Sequence, residues 1–235
     1  MLSARPLLSA AALAAALTAP STPRADSAVS CHCYRERKFD LARPAAADPY
    51  ILATTRSSLL SAAYGVSKAD LVRTAMAGTS ADDLWVSLWT AARVQRGNPS
   101  VLVKREERSS WNAVLADREE RGSWKAALAG ASGLGPEFTA ALESDRPADA
   151  LAAIAVDDVL VGRLGADPVT VRSFRAEGAS SEETVLAVVL ARHLQAPTLP
   201  LLRHVRAGKT TWGTLLHESG LAPDQLDPLV RRLVR

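Results

Sequence analysis

The chain has little of several things. Its 235 residues include only two cysteines, and its aromatic side chains come to three Phe, three Tyr and five Trp. So few cysteines exclude a disulfide-stapled scaffold. The shortage of aromatic residues, beside an abundance of Ala and Leu, disfavours strands and favours helices. Charge of one sign is also lacking, with 28 Lys and Arg against 25 Asp and Glu, a formal net charge of +3. That balance is too mild for a nucleic-acid partner. No Gly-rich phosphate loop, H-E-x-x-H or G-x-S-x-G occurs, so no catalytic residue is assigned. Beyond the first thirty residues no apolar run is long enough to span a membrane.

The first thirty residues read as a signal peptide and leader. Arg5 supplies a positive start, and Leu7 to Ala19 is apolar apart from Ser9 and Thr18. This core is too short for a bilayer span and suits an export signal. Ala28-Val29-Ser30 offers small residues for cleavage before Cys31. Removing residues 1–30 takes away two positive charges, Arg5 and Arg24, and one negative, Asp26, leaving +2. The expected location is the periplasm or the cell exterior.

What is present, above all, is repetition. Residues 64–94 overlie residues 164–194 without a gap: Gly78 meets Gly178, Asp82-Asp83 meets Glu182-Glu183, and Ala91 meets Ala191. A fixed internal period dictates architecture before any local feature does. The register then slips by thirteen residues, because REERSSWNAVLAD at 105–117 is followed by REERGSWKAALAG at 118–130. Trp124, rather than Trp111, is thereby the counterpart of Trp212. The expected fold is all-α: two tandem copies of a short-helix unit, four to six helices each, over residues 51–145 and 150–235. The thirteen-residue tandem insertion occupies 105–130, and an extended segment, residues 31–50, precedes the first unit. Pro44 and Pro49 suggest that Arg43–Thr55 is extended.

Punctuation marks the helices. Ser67 caps a helix over 68–77 that Gly78 stops. Ser80 with Asp83 and Ser180 with Glu183 read as capping boxes. Asp167 caps a helix that Pro168 opens, and Thr211 caps one from Trp212 to about Ser219. Short helices between Gly turns resemble helix-turn-helix units. However, residues 181–195 carry only Arg192 and His193 against two acids, which argues against DNA. The acid pairs Asp82-Asp83, Asp157-Asp158 and Glu182-Glu183 are expected at helix starts or early turns, and the helix dipole accounts for at least the first and last of them.

Cys31-His32-Cys33 is the sharpest local motif. Three chemistries compete for it. A disulfide across one intervening residue would be strained and labile. Two thiolates and an imidazole suit copper or zinc, with His193, His204 or His217 available as a fourth ligand. Cys31 as a lipid-modified N-terminus matches a lipobox only loosely. Trp111, Trp124 and Trp212, each following a Ser or Thr cap, are candidate binding residues, with core anchoring as the plainer account. The same two accounts apply to Trp85 and Trp89, one turn apart.

Cys-His-Cys-Tyr after a leader, RPAAADPYILATT, GTSADDLW and KTTWGTLL together resemble a group of uncharacterised exported bacterial proteins. The resemblance runs from about residue 31 to the end, and it implies an exported location without an activity. The expected function is a non-enzymatic binding or scaffolding protein of the bacterial envelope, whose partner is another envelope protein or a peptide. The alternative is a thiol-redox or soft-metal protein acting through Cys31, His32 and Cys33.

Overall fold

The structure, a computed structural model, describes residues 34–97 and 110–234. The leader, Cys31, His32 and Cys33 and the first REER tetrad lie outside the described residues. The described residues are all-helical and contain no strand. The order is α1 Asp48–Tyr64, α2 Lys68–Met76, α3 Ala81–Gly97, α4 Ser110–Arg121, α5 Trp124–Ala127 and α6 Pro136–Glu143. Then come α7 Ala148–Leu164, α8 Pro168–Ala176, α9 Ser181–Leu194, α10 Thr198–Arg206 and α11 Trp212–Glu218. A single 3-10 turn, Pro223–Gln225, leads into α12 Leu226–Leu233.

The caps decide where these helices start. Ser67 accepts from the Asp70 amide, Asp167 from Val169 and Thr170, and Thr211 from Thr214. The Ser180 hydroxyl and the Glu183 carboxylate exchange bonds with each other's backbone, closing a capping box. Ser80 accepts from the Asp83 amide at 3.0 Å. Each such cap satisfies an amide that the helix leaves without a partner. Gly65 and Gly165 end α1 and α7 in the left-handed region, at φ 67° and 60°. The first three helices of each half therefore recur with starts one hundred residues apart, and α1 and α7 share a length of 17 residues.

Arg43–Thr55 is not extended, contrary to the expectation from its prolines. α1 begins at Asp48, and Pro49 falls in its first turn, where a missing N–H costs nothing. Among the described residues α1 then holds most of the buried polar side chains, with Thr54, Thr55, Arg56, Ser57, Ser58 and Ser61 all out of water. Two of its hydroxyls are satisfied within the helix: Thr55 donates to the Ile51 carbonyl at 2.7 Å and Ser57 to Ala53 at 2.9 Å, while Ser58 accepts from Lys68 at 2.8 Å. Local satisfaction of that kind lets a serine-rich segment sit in an apolar interior.

The halves interlock. α1 packs against α9 and α12 of the second half, while α7 packs against α3 and α6 of the first. One continuous core contains Leu59, Leu60 and Trp85 together with Leu160, Val185 and Leu186.

A strap precedes α1. Phe39 stacks on His217 at 4.4 Å, and the Thr211 hydroxyl donates to the Pro44 carbonyl at 3.1 Å. The Asp48 carboxylate accepts from the backbone amides of Trp212 at 3.2 Å and Gly213 at 2.7 Å. Asp48 thus supplies negative charge at the N-termini of two helices at once. Burial raises its pKa, and those two amide bonds oppose the rise.

Candidate functional site

The three tryptophans singled out by sequence are interior. Trp111, Trp124 and Trp212 are 4%, 5% and 2% exposed, and none presents a ring face to solvent for a ligand to stack on. Trp124 instead donates from Nε1 to Asp83 at 2.9 Å. Trp85 and Trp89 are likewise buried. Cys31, His32 and Cys33 lie outside the described residues. Among the described residues no group of three His, Cys, Asp or Glu side chains could hold a metal ion.

The acidic pairs carry the more informative geometry. Asp82 and Asp83 sit at the start of α3, and Glu182 and Glu183 at the start of α9. A groove of about 810 Å³ runs between them, lined by Asp82, Asp149, Arg175, Ser180, Glu182 and Glu183. Arg56 of α1 lies beneath it, 2% exposed, with Nη1 donating to Glu182 Oε1 at 2.9 Å. Its Nε is buried with no hydrogen-bond partner. One buried guanidinium therefore serves two carboxylates, Glu182 by direct contact and Asp82 through its charge.

Asp82 feels that crowding. Burial, then the charges of Glu182, Asp149 and Asp83, push its pKa up to about 6, against the opposing pull of Arg56. A carboxyl raised in the folded state binds a proton there that the unfolded chain, at its ordinary value of 3.8, does not hold. Stability is therefore expected to rise as pH falls from 7 to 5, by on the order of 2 kcal/mol at most. Below that window other groups take over. Asp167 and Glu177 have lowered pKa values, held down first by bonds to Thr170 and to Arg203 respectively. Urea unfolding across pH 5 to 7 checks this. Asp82→Asn is expected to flatten the profile, and an unchanged slope in that variant would rule the explanation out.

Asp157-Asp158 is no helix-start pair, contrary to expectation. Both lie mid-helix in α7, and tertiary partners hold them. Arg175 donates to Asp157 from Nη2 at 2.7 Å. Asp158 accepts from Trp89 Nε1 at 2.9 Å and from Arg93 Nη2 at 2.5 Å. Burial raises the Asp157 pKa, Arg175 opposes it and the Glu137 charge adds to it. A second cleft, of about 430 Å³, is lined by Trp89, Arg93, Glu137, Asp157 and Asp158 among others. Asp157 faces this cleft while its partner Arg175 faces the carboxylate groove, so the ion pair separates two neighbouring depressions.

No family model, curated protein or solved structure matches the chain.

The site must therefore be judged on its own chemistry. It has carboxylates in a groove, one of them with its pKa raised to about 6, one buried arginine, Arg56, behind them, and a half-buried arginine, Arg175, in the wall. That combination suits recognition of positive charge. Sequence reasoning passed over Arg56, Asp149 and Arg175, and read Asp82 only as a helix-start acid. A signal for part of the groove was nonetheless present, since Asp82-Asp83 and Glu182-Glu183 stand one hundred residues apart.

Proposed function

We propose that this chain is an exported, non-enzymatic binding protein of the bacterial envelope, and that its ligand is a basic peptide. The observation that carries this reading is the groove, where Asp82, Asp149, Glu182 and Glu183 converge on a chain whose formal net charge is +3. Negative charge gathered in one depression of a mildly positive protein steers and orients a cationic partner. The N-terminal leader supports export. The two halves are read as copies of one unit: Asp82 and Glu182 occupy equivalent positions, so the groove lies where the copies meet.

Titration calorimetry of the full chain with an oligo-arginine peptide tests this. Binding is expected to weaken steeply with added salt. Asp82→Asn with Asp149→Asn is expected to loosen it by about tenfold, or about 1.4 kcal/mol. Absence of binding at low salt, or equal binding by a neutral oligo-citrulline, would sink the reading.

A second reading has its own support. The strap fastens the chain onto α11 from Phe39 onward, a few residues after Cys33. The helical body would then serve as a mount for thiol-redox or copper or zinc chemistry at Cys31, His32 and Cys33. Mass spectrometry with and without thiol alkylation, plus metal analysis of the same sample, separates the two. Free thiols on metal-free protein would remove the second reading.

A further inference from the structure

We infer that Trp89 and Asp158 form a box for a guanidinium side chain of a basic peptide, occupied in the free protein by the chain's own Arg93. The inference rests on the cationic-ligand reading above and names a specific subsite for it. Arg93 lies one helical turn after Trp89 on α3, with its Cζ 4.6 Å from the Trp89 ring centroid. That is the placement a cation adopts over an aromatic face. The same Asp158 carboxylate holds both partners, accepting from the Trp89 indole through Oδ2 and from Arg93 through Oδ1. Behind the indole, Phe138 packs at 4.5 Å between centroids and fixes the ring. The box is therefore rigid on two sides and closed on the third by a flexible side chain.

Arg93 is also a partition. Trp89, Arg93 and Asp158 line the 430 Å³ cleft, and they line a further recess of about 320 Å³ as well. The Arg93 side chain is 32% exposed, so it can swing outward without breaking the core. Withdrawing it would join the two recesses around the vacated box. Leu134, Ile154, Val161 and Val171 wall the larger cleft and suit the aliphatic stem of an incoming arginine. Glu137 and Asp157 add negative charge there, against Arg172. An extended basic ligand crossing the Asp157–Arg175 pair would reach the carboxylate groove with its next cations.

The box is a feature of one half only. One hundred residues on, the positions of Trp89 and Arg93 are held by Val189 and His193, and the position equivalent to Asp158 is Ser58. Val189 is an ordinary core residue, fully buried. Helix packing at this register thus has no need of an indole, a guanidinium and a carboxylate.

The test uses the full chain and acetyl-arginine amide as the probe, read on the Trp89 indole N–H cross-peak, with Trp89→Phe to assign it. Wild-type protein is expected to bind weakly, shifting the Trp89 peak and the Arg93 Nε–H peak together as the side chain is displaced. Arg93→Ala is expected to bind about tenfold more tightly, because no internal competitor remains. Adding Asp158→Asn to that variant should abolish the gain. The uncharged isostere acetyl-citrulline amide should move neither peak. Equal affinity in wild type and Arg93→Ala, or equal response to citrulline amide, overturns the box, as does a wild-type Trp89 shift that leaves the Arg93 peak in place. Oligo-arginine binding that Asp82→Asn weakens, without movement at Trp89, sustains the groove and overturns the box. Movement at Trp89 with an affinity indifferent to Asp82 sustains the box and overturns the groove.

Discussion

Arg56→Ala is expected to destabilise the protein by about 3–5 kcal/mol, the usual penalty for breaking a buried ion pair from one side. Arg56 is almost wholly buried, and its guanidinium is the nearest counter-charge to both Glu182 and Asp82. Alanine removes that charge and leaves a void where the stem packed. Two carboxylates that already repel one another then face each other with less compensation. In urea the midpoint should fall by roughly 1–2 M. Arg56→Met combined with Glu182→Gln separates charge from packing, since it fills the space and removes the Glu182 charge together with its partner, which also relieves Asp82 of one like charge. Most of the stability should return in that double variant, because apolar replacement of a buried pair is often close to neutral. The chain contains a precedent: Val156, one hundred residues on in α7, is fully buried at the equivalent position. A loss under 1 kcal/mol for Arg56→Ala would show that the pair is not a structural junction.

Gly213→Val is the second large effect. A Cβ at position 213 would lie 2.5 Å from the Pro44 carbonyl oxygen, 3.2 Å from the Phe39 ring and 3.3 Å from an Asp48 carboxylate oxygen. The nearest of these is backbone, which has no rotamer to retreat into. Something must therefore lift, and the strap is the weaker side, held to α11 by one hydroxyl bond, one ring stack and the Asp48 bridge. A loss of about 1–3 kcal/mol is expected, the ordinary range for overpacking. Trypsin should then cut after Arg37 and Lys38, which are exposed beside the strap's contacts. Amide exchange should rise in the strap and at the amides of Trp212 and Gly213, which lose their acceptor. Unchanged proteolysis in Gly213→Val would mean the strap does not depend on close approach to α11.

Much of the helix layout was legible because its causes are local. Ser67, Asp167, Ser180 and Thr211 each bond an amide two or three residues ahead, so a short window contains the whole interaction. The start of α1 was misjudged for the converse reason. Pro44 and Pro49 look like extended-chain residues in a local window, yet Asp48 is drawn to α11, a partner over 160 residues distant. Asp157 and Asp158 follow the same pattern. As a pair they resemble helix-start acids, and only Arg175, Arg93 and Trp89 explain them mid-helix.

Part of the carboxylate groove stood written in the sequence, in two acid pairs one hundred residues apart. Equivalent acid pairs at 82–83 and 182–183 could be read from the chain, but not that the two helix starts meet, nor that Arg56 lies under them. Arg56 sits in a serine- and threonine-rich stretch whose apolar pattern is weak. Its burial follows from α9 and α12 closing over α1, not from its neighbours in sequence.

By itself, then, the sequence determined the helical class, the positions of most caps, and the recurrence of one helix order a hundred residues apart. These rest on propensity and on bonds spanning three or four residues. Tertiary structure alone decided that α1 packs with α9 while α3 packs with α7, so that two similar halves share one core. It also decided that Asp82, Glu182 and Arg56 meet. The physical reason is that burial of apolar faces is non-directional and indifferent to sequence distance. Each half carries the same kind of faces, and which half covers which is settled by the packing of the whole.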